Sequence, residues 1–146
     1  MVIAIFGESC TGKSTIAECL KGELGARVFS GRDYLRLAKT EQEARAKFKE
    51  MLENGEEPAI YVLSEKQDLG LLPKNCLRVL VTADLALIKE RFAKRTGGVL
   101  PPPVEKMLKS KHGMFNGEPR DLWIISGEGS AETACEKIQI GRASCR

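Results

Sequence analysis

Residues Gly7-Glu8-Ser9-Cys10-Thr11-Gly12-Lys13-Ser14-Thr15 follow the apolar run Val2–Phe6 directly. Their spacing, G-x-x-x-x-G-K-[ST], is that of a phosphate-binding loop set between a strand and a helix. In such a loop successive backbone N–H groups converge on one anionic oxygen, and the dipole of the following helix adds to the attraction. Gly7, Cys10, Thr11, Gly12, Lys13, Ser14 and Thr15 are therefore expected to surround the phosphates of ATP. Lys13 would reach the β- and γ-phosphates, and the Ser14 hydroxyl would join the shell of a Mg²⁺ ion.

Two further groups of residues have the chemistry to complete a phosphoryl transfer. Arg32, Asp33 and Arg36 follow a short apolar run ending at Phe29. If this segment is an α-helix, the two arginines share a face and form a clamp for a second anion, since planar guanidinium binds phosphate or carboxylate bidentately. Arg91 and Arg95 also stand four apart, suited to neutralising charge on the equatorial oxygens of a migrating phosphoryl group. Asp33 is the carboxylate placed to act as a base or to support the metal through water. Lys13, Asp33, Arg91 and Arg95 form the expected catalytic set, and Arg32 and Arg36 the acceptor-binding set. His112, the chain's one histidine, reads as a helix-end or surface group.

The elements that must position these groups alternate between strands and helices. Strands are expected at 2–6, 26–29, 59–63, 78–82 and 122–126. Helices are expected at 13–21, 32–38, 41–53, 65–70, 84–96, 103–112 and 130–139. Apolar strands separated by helical patterns predict an α/β fold: a five-stranded parallel sheet between two layers of helices. Thr40 with Glu43, and Ser64 with Gln67, have the spacing of capping boxes. Asp84 is placed to cap the helix whose apolar stripe is Leu85, Ile88 and Phe92. Ala44, Phe48, Met51 and Leu52 form the apolar face of helix 41–53. Gly97-Gly98 and Pro101-Pro102-Pro103 join flexible to stiff chain, which suits a short lid around 96–113 within one domain of residues 1–146.

Read together, these blocks resemble the nucleoside monophosphate kinases. Asp33, Leu35 and Arg36 fall on the D-x-L-R of the acceptor signature of adenylate kinases, although Gly31-Arg32 replaces its threonine and glycine. Arg91 and Arg95 match the R-x-x-x-R that enters the lid. The resemblance implies ATP and Mg²⁺ as cofactors, an acceptor phosphate on Arg36, and donor adenine against Ser126-Gly127-Glu128-Gly129-Ser130. It departs where Ser64-Glu65 replaces a Walker B aspartate or the D-G-F-P-R segment, so Glu65 or Asp33 would support the metal. The expected function is ATP-dependent transfer to a nucleoside monophosphate or a similar phosphorylated small molecule. One alternative is a kinase of a small hydroxyl compound like shikimate or gluconate kinase, although the paired D-x-D of shikimate kinase is not present at 30–36. Another is a nucleotide-binding module without transferase activity.

Composition narrows the field. A chain of 146 residues with 42% hydrophobic and 29% charged residues has the makings of a buried core. The net charge of +3 is modest, and no basic stripe interleaved with aromatics points to nucleic acid. No apolar run approaches membrane-spanning length. Cys10, Cys19, Cys76, Cys135 and Cys145 are dispersed without a C-x-x-C pair, which argues for a reducing, cytoplasmic setting and against a structural metal. The expected partners are ATP and a small anionic acceptor, with the chain a monomer or homodimer.

Overall fold

The computed structural model describes residues 1–127, 129 and 131–144. Five parallel strands, β1 (Val2–Phe6), β2 (Arg27–Ser30), β3 (Ala59–Leu63), β4 (Cys76–Thr82) and β5 (Leu122–Ile125), form one sheet in the order β2-β3-β1-β4-β5. The helices are α1 (Lys13–Leu24), α2 (Glu41–Asn54), α3 (Leu85–Arg95), α4 (Pro102–Lys111) and α5 (Ala131–Ser144), with 3₁₀ turns at Asp33–Leu37 and Lys66–Leu71. The expected α/β fold with a five-stranded parallel sheet is the one observed.

β1 is central and buried along its whole length. Its side chains alternate between two cores, as the period of a strand requires. Ile3 and Ile5 face Ile16, Leu20 and Ile138 of α1 and α5. Val2, Ala4 and Phe6 face Phe48, Leu52, Leu71 and Phe115 on the other side. A third cluster joins α3 and α4 through Ile88 and Leu108, with Phe92 and Val104 against them. Lys89 and Glu105 add an ion pair at 3.0 Å between these two helices. Thus α4 is packed against its neighbour within the expected lid, and only residues 96–101 link them irregularly. Among the described residues no helix is long and apolar enough to cross a membrane.

Local expectations met mixed outcomes. Thr40 caps α2, its hydroxyl accepting from the Glu43 amide at 3.2 Å. Asp84 occupies the corresponding position of α3, but its side chain takes no capping hydrogen bond. The Ser64–Gln67 box is absent as well; Glu65 precedes the second 3₁₀ turn without a side-chain cap. Met51 lies on the exposed side of α2, because Ala44, Phe48 and Leu52 already fill the buried stripe. Most consequential is residues 33–37, expected within an α-helix and found as a 3₁₀ turn.

Candidate active site

Every strand is parallel, so all five carboxyl ends meet on one rim, where ligands of open α/β sheets bind. The phosphate loop leaves the middle of that rim. A side chain at Gly7 would place its Cβ 2.1 Å from the Val81 carbonyl oxygen, so only glycine permits the loop to leave β1 this close to β4. Cys10 (φ 65°) and Gly12 (φ 96°) adopt left-handed backbone, alternating the chain's curvature as an anion-binding nest requires. Cysteine pays for that conformation, and its side chain is anchored by burial against Ala83, Ile88 and Leu108. Gly12 offers α1 no side-chain cap, leaving the amides of the first turn to a ligand.

Lys13 is 6% exposed and donates to the Glu8 carbonyl at 2.5 Å, with the Thr11 hydroxyl 3.5 Å away. Thr11 donates to the same carbonyl at 3.0 Å. Burial lowers the Lys13 pKa to about 8; the charge of Arg95 acts in the same direction, against the opposing effects of Cys10 and Glu8. An ammonium held in a pocket that resists its charge is poised to gain from an arriving phosphate. The loop is closed on itself through this lysine.

Two of the expected cations border the loop. Arg91 donates to the Cys10 carbonyl at 3.1 Å, and its guanidinium lies 3.6 Å from where a Cβ on Gly12 would be. Arg95, one turn on, is exposed and within electrostatic reach of Lys13. Both line a cleft of about 550 Å³ that runs from Cys10, Gly12 and Thr15 to Trp123, Ser126, Gly127 and Gly129. The segment expected to border donor adenine therefore opens onto this cleft; its Glu128 and Ser130 lie outside the described residues. Trp123 donates through Nε1 to the Thr82 hydroxyl at 2.8 Å and stacks beneath Arg120, whose guanidinium carbon is 4.5 Å from the ring centre. This tryptophan is half-exposed because β5 is an edge strand, a placement that its local sequence does not reveal.

On the other flank, the turn after β2 carries Asp33 and Arg36. A 3₁₀ turn has three residues per turn, so residues three apart eclipse and residues four apart diverge. Asp33 and Arg36 therefore share a face, while Arg32 points elsewhere and pairs with Glu41. The Arg32–Arg36 clamp expected on α-helical geometry is replaced by an Asp33–Arg36 pair. Both are exposed, and neither is engaged by a hydrogen bond or ion pair among the described residues.

Buried groups unreadable in the sequence hold that turn in place. Tyr34 donates to Asp68 at 2.8 Å, and Arg45 reaches the Tyr34 hydroxyl and Asp68, each at 3.0 Å. The Tyr34 and Phe48 rings stack 5.4 Å apart. Tyr61, whose hydroxyl is driven by burial to resist ionisation, donates to the Gly31 carbonyl at 2.7 Å. On the loop itself, Glu8 accepts from the Gly113 amide at 3.2 Å and lies 3.1 Å from His112 Nδ1. An acid inside a loop of this spacing is the available sequence signal that a donor must face it. His112 is thus the partner of Glu8 at the end of α4.

No protein-family model matches the chain, and no curated protein matches it in sequence. Solved structures do. A gluconokinase from Sinorhizobium meliloti 1021 superposes with a TM-score of 0.69 at 18% identity, covering 98% of this chain and 91% of that one. Shikimate kinase from Acinetobacter baumannii, in complex with shikimate, gives 0.68 at 16% identity, covering 98% and 93%. The YorR protein of Bacillus subtilis, in complex with phosphorylated GDP, gives 0.65 at 19% identity, covering 96% and 94%. The chain shares the overall fold of these proteins. These likenesses include a gluconokinase, a shikimate kinase and a protein in complex with phosphorylated GDP, so the fold is not particular to nucleoside monophosphate kinases.

Proposed function

We propose that this chain transfers the terminal phosphoryl group of ATP to a hydroxyl of a small polar compound, and that a hydroxy acid is the class its side chains fit best. The observation that carries this is the Asp33–Arg36 pair, a carboxylate and a guanidinium on one face of a 3₁₀ turn, about 6 Å apart along its axis. Arg36 is suited to holding the acceptor's carboxylate bidentately. Asp33 is then free to take the hydroxyl proton as that oxygen attacks the γ-phosphorus and ADP leaves. The likeness to a gluconokinase and a shikimate kinase supports this reading over a monophosphate acceptor, the first choice from sequence.

The remaining residues divide the electrostatic work. The amides of the loop and Lys13 hold the donor phosphates, and Arg91 and Arg95 neutralise charge on the migrating group. Ser14, exposed in the first turn of α1, would hold Mg²⁺, with Glu65 a second exposed oxygen donor on the same rim. The metal would supply further neutralisation of the phosphate oxygens.

A second reading rests on Arg36 occupying the D-x-L-R position, and makes a nucleoside monophosphate the acceptor. An ADP-release assay over hydroxy acids, sugars and nucleoside monophosphates separates the two. With a hydroxy acid, Asp33→Asn should lower kcat by at least a hundredfold, the size of a lost general base, while Arg36→Ala mainly raises KM. Turnover confined to monophosphates, with Asp33→Asn nearly as fast as wild type, would establish the second reading instead. No turnover on the whole panel, with nucleotide still bound, would favour a binding module.

A further inference from the structure

The α1–α5 pair brings together side chains remote in sequence and unused by the proposed chemistry. Cys19 and Glu23 stand one turn apart on α1, and Cys135 and Gln139 one turn apart on α5. The two thiol sulfurs and a Glu23 carboxylate oxygen all lie within 4.8 Å of one another. Cys135 Sγ is 3.7 Å from Glu23 Oε2. In a tetrahedral zinc site, with Zn–S of about 2.3 Å and Zn–O of about 2.1 Å, the sulfur–oxygen edge is about 3.6 Å and the sulfur–sulfur edge about 3.8 Å. The observed separations meet that geometry with little movement.

We propose that Cys19, Glu23 and Cys135 form a Zn²⁺ site that clamps α1 to α5. Two thiolates and one carboxylate select a borderline-soft cation over Mg²⁺, so this site is chemically distinct from the donor site. Each thiol gives its proton to solvent as its sulfur binds. Gln139 supplies the fourth position or orients the water that fills it. Its amide nitrogen lies 3.7 Å from Cys135 Sγ and bonds Glu23 Oε2. A half-turn of the amide, whose oxygen and nitrogen have nearly the same shape, presents a carbonyl oxygen to the same place. Exposed Glu23 gives the ion a route in, while buried Cys135 fixes the inner side. Cys19 lies about 9 Å along α1 from Lys13, far enough for the two sites to be occupied independently. The dispersed cysteine spacing argued against a metal because it conceals a site assembled across two helices.

The test uses the full chain in reducing buffer with Co²⁺ and then Zn²⁺ as probes, without nucleotide. Wild type should give a near-ultraviolet thiolate-to-cobalt charge-transfer band that Zn²⁺ bleaches. A hundredfold excess of Zn²⁺ over its Kd should raise the melting temperature by about 5–10 °C. Cys19→Ala should abolish the band and the shift. Glu23→Gln, at an exposed position where folding is secure, should keep a band but weaken binding at least tenfold. Wild type with no band and no shift would overturn the site. A band unchanged in Cys19→Ala and Glu23→Gln would overturn it too, assigning the signal to Cys10, Cys76 or Cys145. So would a Cys19–Cys135 disulfide formed in air by a reduced protein that ignores both metals, since the pair would then be a redox couple.

Discussion

Lys13 gives the sharpest test of the electrostatics. Its ammonium is buried and its pKa is lowered from 10.5 to about 8, chiefly by desolvation. The unfolded chain therefore binds this proton more tightly than the folded one. Below pH 8 both states are protonated, and the fold carries a constant penalty. Between about pH 8 and 10.5 the unfolded state holds more protons, so this group makes stability rise with pH. The whole interval corresponds to about 3 kcal/mol. Cys76 and Cys135, whose thiols burial raises to about 11 and about 12, act oppositely in the same range, because the unfolded state loses their protons first. The contribution must therefore be read as a difference. Urea denaturation of wild type and Lys13→Met, at steps from pH 7 to 10.5, should show the gap moving toward wild type by about 3 kcal/mol. That corresponds to roughly 6–12 °C in Tm for a chain of this size. Saturating nucleotide should flatten the change, since a phosphate beside the ammonium restores its pKa. A gap that stays constant with pH in the free protein would refute the reasoning.

Other consequences are as direct. Gly7→Ala puts a Cβ against the Val81 carbonyl at 2.1 Å; it should abolish nucleotide binding in calorimetry and lower stability by about 3 kcal/mol. Arg45→Met removes the cation beside Asp68, which is fully buried and already has one unpartnered oxygen; stability in urea should fall by about 3 kcal/mol, and Asp68→Asn in the same background should recover part of it. Arg91→Ala should lower kcat by about a hundredfold with little change in ATP affinity, read by single-turnover kinetics.

The fold was legible because its signals were local. Buried parallel strands announce themselves as continuous apolar runs, and the loop's spacing fixes where β1 ends and α1 begins. Thr40–Glu43 was legible for the same reason: both partners lie within one turn. The candidate site was legible only where backbone type followed from sequence. Arg91 and Arg95 sit on an α-helix as read, whereas Asp33–Leu37 winds as 3₁₀ and exchanges Arg32 for Asp33 as the neighbour of Arg36. Propensity does not separate these windings over five residues. The turn is instead fixed by Tyr34 reaching Asp68, thirty-four residues away. Glu8 with His112, and Cys19 with Cys135, are longer-range still, and such pairs leave no periodic trace in the chain.

The position of β1 in the sheet has a consequence for how this protein can change. The loop rises between β3 on one side and β4 on the other, with the Asp33 turn beyond β3 and the Trp123 cleft beyond β4. Among the described residues no hydrogen bond or ion pair joins the Asp33 turn to Arg91, Arg95 or Trp123. Substitutions on opposite flanks should therefore combine additively, with coupling concentrated in the loop itself. With the donor and acceptor sites placed as proposed, new acceptors could be explored by altering the β2 side alone while the β4 side is kept.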